Sequence, residues 1–338
     1  MGNQMIKKNS LIVTAFSLAL SFWVAPAPAQ DNNASRLVPI ITFLLDEPDE
    51  CPGATPGTTR TITDPIDTQA QLDELQGVAR IDGDLVFNIP FRTNFDFSAL
   101  ASLVEVRGGV FFGGTVQESI SGFNCLSLIE TDLDIRSIAG LTSISGFDAL
   151  TSVGRDLTIF NNLALVSVSG FGVLTEVGRD VSINFNNSLT SVPEFDALTS
   201  IGEDLNVISN RMLLSLPEFN ALISVGESVR ITSNSTITSI SRFGTLTAVL
   251  DLLIDDNDAL VSIQGFDALT AVRSRLLIEN NDALSSIEGL SNLESSAVLG
   301  SINVRNNPLF DCSNPMPNFL PATTSTGNAV NCDVRLPL

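Results

Sequence analysis

Residues 146–169 of the chain read GFDALTSVGRDLTIFNNLALVSVS, and this 24-residue unit recurs from about residue 74 onward. Each copy opens near a phenylalanine, carries an asparagine near its middle, and places apolar residues two or three positions apart. That spacing fits neither a helical stripe nor a long alternating strand. A period of about 20 to 50 residues is typical of solenoids, in which each coil buries its apolar face against its neighbours.

Aligning the copies gives columns of one residue type. The aromatic column comprises Phe123, Phe147, Phe171, Phe195, Phe219, Phe243 and Phe266, with Leu75, Leu100 and Leu290 at its ends. The amide column comprises Asn162, Asn186, Asn210, Asn234, Asn257, Asn281 and Asn307. We therefore predict an all-β fold, a β-helix-like solenoid of about ten coils with a cap at each end. At a strand spacing of about 4.8 Å, ten coils form a rod roughly 48 Å long.

The composition excludes most catalytic chemistry. The 338 residues include 17 basic and 38 acidic ones, a net charge of −21, with no histidine and no tyrosine. The only lysines are Lys7 and Lys8. Histidine-dependent nucleophiles, histidine metal ligands and lysine Schiff bases are therefore absent from the main part of the chain. We predict no cofactor, and the acidic surface argues against nucleic acid as a partner.

The N-terminus has the pattern of an export signal. Lys7 and Lys8 precede an apolar run over residues 11–24 and a small-residue segment that ends at Ala29. We predict cleavage after Ala29, since Pro26 and Pro28 disfavour the two earlier alanines. An uncleaved anchor is the alternative, but the run is short for a membrane span. The mature protein is expected to be secreted, extracellular, periplasmic or at the cell surface, without a membrane span.

Four segments follow from this organisation: a signal peptide (1–29), a leader with an N-terminal cap (30–73), the repeat solenoid (74–310) and a disulfide-closed C-terminal cap (311–338). In the N-terminal cap, residues 62–64 predict a short strand. Residues 69–75 predict a short helix with an acidic start after Thr68.

The four cysteines predict two disulfides in an exported chain. Cys312 and Cys332 bracket the last segment and are expected to close it. Cys51 and Cys125 pair by elimination, although they lie far apart in the sequence.

Two polar columns could be read as sites. Buried asparagines at solenoid turns usually bond to backbone groups, so we interpret the amide column as structural and expect no glycan at the sequons of Asn186 and Asn234.

An acidic column comprises Asp132, Asp156, Asp180 and Asp204, with Asp84 and Asp251 as outliers. Stacked carboxylates about 5 Å apart could serve glycoside hydrolysis. A repeated column, however, gives every member a similar environment, whereas catalysis needs two different pKa values.

Two further patterns are interpreted as surface features. The oxygen-rich segments 255–258 and 279–282 lack an EF-hand or nonapeptide calcium pattern, so we predict no metal site. Thr-Ser pairs such as Thr151-Ser152 lack the regular Thr-x-Thr rhythm of ice-binding solenoids and are interpreted as ordinary turn surface.

A binding surface is the remaining candidate. The position after the Leu-x-Ile strand holds Phe160 and Ile208 in earlier coils but charged residues in later ones, and Phe111 and Phe185 stand nearby. If these four residues project outward, the N-terminal half exposes an apolar face, and such patches on rigid scaffolds mark interaction sites. The alternative is that the leader covers them.

The unit Phe/Leu-x-x-Leu-x-x-Val-Gly-x-Asp-Leu-x-Ile-x-x-Asn-x-x-Leu resembles the receptor L-domain repeat of insulin- and EGF-type receptors, fungal cell-wall proteins and exported bacterial proteins. The resemblance covers about residues 51–312 and implies a right-handed solenoid. The chain departs from it in lacking a cysteine near Val78 or Ala79, a position that Cys125 could replace. It also has neither a membrane span nor a kinase, so receptor signalling is not implied.

Together these patterns predict an exported, non-enzymatic binding or adhesion protein that recognises an extracellular or envelope protein or glycan through its lateral face. Two alternatives remain: a carbohydrate-active enzyme that uses the acidic column, and a purely structural envelope protein.

Overall fold

The computed structural model describes residues 58–89, 94–114, 116–192, 195–217, 219–293 and 298–311, and the backbone of 323–324. Within these ranges the chain is nearly all β, and its parallel strands stack as a β-solenoid of about ten turns. Equivalent residues of neighbouring coils lie 24 positions apart through most of the stack, as in the pair Ile159 and Ile183. The predicted fold class is confirmed.

The elements are short. The strands are β1 (Thr59–Thr61), β2 (Arg80–Asp82), β3 (Leu85–Ile89), β4 (Glu105–Val106), β5 (Val110–Gly114), β6 (Ser119–Ile120), β7 (Leu128–Ile129), β8 (Leu133–Arg136), β9 (Ser143–Ile144), β10 (Ser152–Val153), β11 (Leu157–Phe160), β12 (Ser167–Val168), β13 (Glu176–Val177), β14 (Val181–Asn184), β15 (Ser200–Ile201), β16 (Leu205–Ile208), β17 (Ser224–Val225), β18 (Ser228–Thr232), β19 (Ser239–Ile240), β20 (Ala248–Asp255), β21 (Ser262–Ile263), β22 (Ala271–Glu279), β23 (Ser301–Arg305) and β24 (Thr323–Thr324). The described residues also form one α-helix, α1 (Gln69–Asp73), and two 3-10 turns, Phe97–Leu100 and Glu288–Leu290.

Each regular coil contributes one strand to each of two faces, and some coils add a strand to a third face, where Ser191 is joined only by an isolated bridge. The first face stacks two-residue strands such as β10, β13 and β15, and the second stacks four-residue strands such as β11, β14 and β16. The third face stacks β6, β9 and β12, and later β19 and β21. In β20 and β22 the first two faces run on as one strand. The coil of β20 is one residue short, and the pairing shifts between Val249 and Asp251.

The aromatic column fills the interior. All seven predicted phenylalanines are buried, and consecutive rings lie 4.8 to 5.9 Å apart between centroids from Phe123 to Phe266. Five of the six pairs are stacked, and Phe171 and Phe195 are tilted by 31°. Leu75, Leu100 and Leu290 are buried at its ends, as predicted. Ring stacking adds to the burial of apolar area, so this column holds adjacent coils together.

The amide column forms a continuous buried ladder. Asn210 shows the pattern: its Oδ1 accepts from the Asn186 backbone N–H at 3.0 Å, and its Nδ2 donates to the Ile183 carbonyl at 2.7 Å. All seven members are fully buried. Because their amides satisfy backbone groups of adjacent coils, the structural interpretation is confirmed, and the side chains of Asn186 and Asn234 face the interior.

A glycine column lies at the corner between the first and second faces. A Cβ built on Gly202 would overlap the Gly178 carbonyl oxygen, and the same overlap recurs at Gly154, Gly178 and Gly226 with the preceding coil. Glycine is therefore required here by the close approach of two backbones.

The N-terminal end differs in detail from the prediction. The first strand is Thr59–Thr61, pairing with β2, and not 62–64. The helix α1 forms, but its first turn contains no acidic residue. Its start is fixed instead by a capping box, in which Thr68 Oγ1 accepts from the Gln71 N–H and Gln71 Oε1 accepts from the Thr68 N–H. The acidic-start prediction was therefore wrong, because Gln71 satisfies the terminal amide without a charge.

Several predictions lie outside the described residues. These are the signal peptide, the leader to residue 57, and Cys51, Cys312 and Cys332. Cys125 is 6% exposed, at a position where neighbouring coils have Ala149 and Val173. The two disulfide pairings stay predictions. None of the helical segments in the described ranges has the length and hydropathy that a membrane crossing needs.

Candidate functional site

The acidic column bonds to the backbone of the next coil. One carboxylate oxygen of Asp132, Asp156, Asp180 and Asp204 accepts from the backbone N–H one coil further on, at 2.9 to 3.2 Å. The two outliers do the same: Asp84 accepts from Gly109 and Asp251 accepts from Arg275, each at 2.9 Å. The column is thus a second ladder, which ties strands together at their starts.

Arginines neutralise much of this column. Arg155 and Arg179 each lie 3.8 Å from a carboxylate of the preceding coil, Arg230 pairs with Asp204, and Arg275 binds Asp251 at 2.7 Å. Asp180 has a different environment, so the expectation that every member of the column shares a similar one is wrong at this position. Burial raises its pKa above 3.8, and the carboxylates of Asp156, Asp204 and Glu203 raise it further, against the hydrogen bond from the Asp204 amide.

Asp180→Asn should therefore raise the free energy of unfolding at pH 7, by about 0.5 kcal/mol for a partly exposed like-charge contact removed. A folded-state pKa above the unfolded value makes the charged carboxylate a cost at neutral pH. That cost falls as the pH drops through the raised pKa, and below about 3.8 the carboxyl is protonated in both states, so the gain should vanish. Urea denaturation of variant and wild type from pH 3 to 7 measures it.

Asp251→Asn is the control of opposite sign. Burial acts to raise the pKa of Asp251, but the hydrogen bonds from Arg275 and Ser274 outweigh it and lower the pKa. This carboxylate contributes stability above pH 3.8 that is lost as pH falls through the lowered pKa, so its replacement should destabilise at pH 7. Equal changes in the free energy of unfolding for the two substitutions at pH 7 would contradict the opposite pKa shifts assigned to Asp180 and Asp251.

The oxygen-rich segments are occupied by internal contacts. Asp255 accepts from Asn280 Nδ2 at 2.8 Å, and Glu279 is paired with Arg305. Among the described residues, no group of three or more histidine, cysteine, aspartate or glutamate side chains is arranged to hold a metal ion. The threonine hydroxyls on the first face also point along the stack: Thr175 donates to the Thr151 carbonyl at 2.9 Å, and Thr199 to that of Thr175 at 3.0 Å.

Three of the four predicted surface residues come together on the second face. Phe160 and Ile208 occupy one outward column on either side of Asn184. Phe185 is the next residue in the chain, and its backbone N–H donates to the Ile208 carbonyl at 2.9 Å. Phe111 is set apart, since it pairs with Asp134 in the other outward column and its ring lies over Gly109.

Phe185 stands in an unusual backbone conformation. Its φ is +60°, and the same turn position in other coils, also at positive φ, holds serine, asparagine or aspartate. The Phe185 ring contacts Phe160 edge-on at 5.4 Å between centroids and is 44% exposed. A bulky residue in the left-handed region is strained, and such strain concentrates at functional sites.

Replacing Phe185 by asparagine should leave the free energy of unfolding unchanged or raise it by about 0.5 kcal/mol. Relief of left-handed strain contributes about 1 kcal/mol, and loss of the half-exposed ring contact costs about 0.5 kcal/mol. Phe185→Ala is the matched control, because alanine removes the ring but tolerates positive φ less well than asparagine. Urea denaturation should rank asparagine above alanine; equal midpoints would show that position 185 is not strained.

Further exposed apolar side chains lie in the same coils. Six of the eleven large apolar side chains found exposed in the described part fall between residues 163 and 214: Leu163, Val166, Val173, Phe185, Met212 and Leu214. The first and the last two are 52%, 54% and 63% exposed. Sequence reasoning predicted Phe185 but missed the other five, because it followed the position after the strand. For Leu163 and Met212 the turn after the asparagine ladder carried the signal.

The apolar surface is an island and not a whole half of the solenoid. The coil before Phe160 carries the Arg136–Asp134 pair at 2.7 Å. The outward column ends in Asp255, Glu279 and Arg305, as the sequence indicated. The prediction of an apolar N-terminal half was therefore too broad, because the apolar surface is confined to residues 160–214.

A groove lies at the corner of the stack. It has a volume of about 340 Å³ and follows the glycine column along four coils. Among the described residues that line it, Glu176 alone is titratable.

No family model matches the sequence, and neither a curated protein nor a solved structure matches it, so the fold and the surface chemistry carry the functional argument alone.

Proposed function

We propose that this chain is an exported, non-enzymatic binding or adhesion solenoid, which recognises a protein or glycan of the cell envelope or its surroundings through the second face and the turn beside it. The observation that carries the proposal is Phe185, a strained and half-exposed ring in a column of small polar residues. Selection for stability alone favours asparagine or glycine at such a position, so the ring has another use.

The rigid stack around this ring supports the proposal. Ladders of asparagine, aspartate and backbone bonds hold neighbouring coils in register on both sides of the second face. A preorganised surface loses little conformational entropy on binding, and exposed aromatic rings are frequent hot spots. The resemblance to receptor L-domain repeats is consistent with a recognition role and forms part of the proposal.

The enzymatic alternative has less support. A hydrolytic pair needs two carboxylates in distinct environments facing a substrate. Here each carboxylate of the acidic column accepts from a backbone amide of the next coil, and four of them lie beside an arginine. Such contacts favour a structural role for the column.

The test is retention of the purified protein on the cell envelope of the organism that produces it (the host envelope) and on a panel of insoluble polysaccharides. Released reducing ends are assayed in parallel. We expect retention without sugar release, unchanged by the double substitution Asp156→Asn/Asp180→Asn. Sugar release that disappears in this double variant would overturn the proposal in favour of the enzyme. Absence of both retention and release would leave the structural role.

A further inference from the structure

One edge of the solenoid changes its chemistry along the stack. In each coil the ladder asparagine, the two residues before it and the two residues after it form a turn, and these turns stack as an edge. We call it the asparagine edge. It comprises residues 160–164, 184–188, 208–212, 232–236, 255–259, 279–283 and 305–309. The last of these turns carries Arg305 and the exposed Leu309.

The first three turns of the asparagine edge are apolar. They contribute Phe160 and Leu163, then Phe185, then Ile208 and Met212, of which Leu163, Phe185 and Met212 are 44 to 54% exposed. The next turn, 232–236, carries only hydroxyl side chains besides its asparagine, and those of Ser235 and Thr236 donate to carbonyls of the preceding coil. This turn is a neutral spacer.

The following two turns are acidic. Asp256, Asp258 and Asp282 are exposed and Asp255 is half-buried. In the described part of the chain, no arginine lies within ion-pair distance of these four carboxylates, whereas Glu279 beside them is paired with Arg305. The charges also repel one another: burial and the carboxylate of Asp255 raise the pKa of Asp256. The Asp255 carboxylate also contributes to the raised pKa of Arg305, after the larger effect of Glu279, so it is partly compensated. The negative charge that no ion pair within the described ranges compensates therefore lies mainly on Asp256, Asp258 and Asp282.

We infer that the asparagine edge binds a cationic amphipathic polypeptide segment, whose apolar side chains cover residues 160–212 and whose basic side chains pair with Asp255, Asp256, Asp258 and Asp282. This rests on the proposed binding function and names its partner as a protein and not a glycan. A neutral glycan could stack on Phe185 and donate hydroxyl hydrogen bonds to the carboxylates, but it carries no positive charge to complement the negative charge of the acidic turns.

The edge also sets the spacing between the apolar and basic parts of the partner. Phe185 and Asp256 stand at equivalent turn positions three coils apart, about 14 Å at a strand spacing of about 4.8 Å. The partner residue that contacts Phe185 and the basic residue that pairs with Asp256 must therefore lie about four extended residues apart. Arg211 is exposed within the apolar turns and repels a basic block placed there.

A synthetic peptide tests the inference: three leucines, a four-residue Gly-Ser spacer and four lysines. Two control peptides carry glutamate in place of lysine and serine in place of leucine. The binding of all three peptides is measured by fluorescence anisotropy at low and high salt. The edge variant carries Asp255→Asn, Asp256→Asn, Asp258→Asn and Asp282→Asn. The matched control carries Asp64→Asn, Asp148→Asn, Asp196→Asn and Asp267→Asn, exposed carboxylates off the edge with the same total charge change.

We expect the leucine–lysine peptide to bind and the edge variant to lose about ten-fold in affinity at low salt, since several exposed ion pairs are removed together. The affinity of the control variant should stay within about two-fold of the wild type. High salt should reduce the difference in affinity between the wild type and the edge variant. Phe185→Asn should weaken binding at both salt concentrations. Equal losses in the edge and control variants, or binding of the glutamate peptide, would overturn the inference.

The test separates the two proposals. If the leucine–lysine peptide does not bind but envelope or polysaccharide retention still depends on Phe185, the cationic partner is wrong and the proposed function stands. If no probe depends on Phe185, the proposed function fails as well.

Discussion

Replacing Asn210 by leucine should lower the free energy of unfolding by about 3 to 5 kcal/mol. The substitution leaves the Asn186 N–H and the Ile183 carbonyl without their side-chain partner and removes the contact to Asn234 Oδ1 at 3.3 Å. These groups are fully buried, so water cannot replace the lost bonds. Urea denaturation followed by circular dichroism measures the loss.

The control is Asn206→Leu, on the outward side of β16 and four residues before Asn210, which lies in the turn after that strand. Its amide donates to Ser182 Oγ at 3.3 Å, its Oδ1 accepts from Arg230 at 3.2 Å, and the side chain remains partly exposed. We expect a loss of less than about 1 kcal/mol. Similar losses for Asn206→Leu and Asn210→Leu would mean that the ladder asparagine is not a special contributor.

Gly202→Ala should destabilise the protein by at least about 3 kcal/mol. The new Cβ would overlap the Gly178 carbonyl oxygen, which is backbone and cannot move aside as a flexible side chain can. Relief requires the two coils to separate locally, which also weakens the Gly202 N–H bond to the Val177 carbonyl at 3.0 Å. Thermal and urea midpoints both report the loss.

Gly172→Ala provides the comparison, because a Cβ on Gly172 meets nothing within 4 Å. Alanine also restricts the unfolded chain, so we expect an unchanged midpoint or a gain of up to about 1 kcal/mol. If Gly202→Ala were as well tolerated as Gly172→Ala, the inference that the coils approach too closely for a side chain at this corner would be wrong.

The repeat columns were predictable because a solenoid converts sequence periodicity directly into contacts. A residue and its equivalent 24 positions later are neighbours in space, so Phe147 and Phe171, or Asn186 and Asn210, could be paired from the sequence alone. The same logic places Phe160 and Ile208 in one outward column, with Asn184 between them.

The binding surface was less predictable, because it depends on backbone conformation and on neighbours around a corner. Sequence alone does not show that Phe185 adopts positive φ, nor that Phe111 folds back over Gly109. The exposed turn residues Leu163 and Met212 were missed for the same reason. Likewise, the hydrogen bonds from backbone amides to the acidic column follow from where each strand begins, which the period does not specify.

The central claim is that Phe185 serves binding although its side chain strains the local backbone at positive φ. The most direct measurement compares wild type and Phe185→Asn for retention on host envelope and for urea midpoint in the same preparation. We predict that retention falls by at least about ten-fold, as for an aromatic hot spot, while the midpoint is unchanged or higher. Full retention by the Phe185→Asn variant with an unaltered midpoint would contradict this claim.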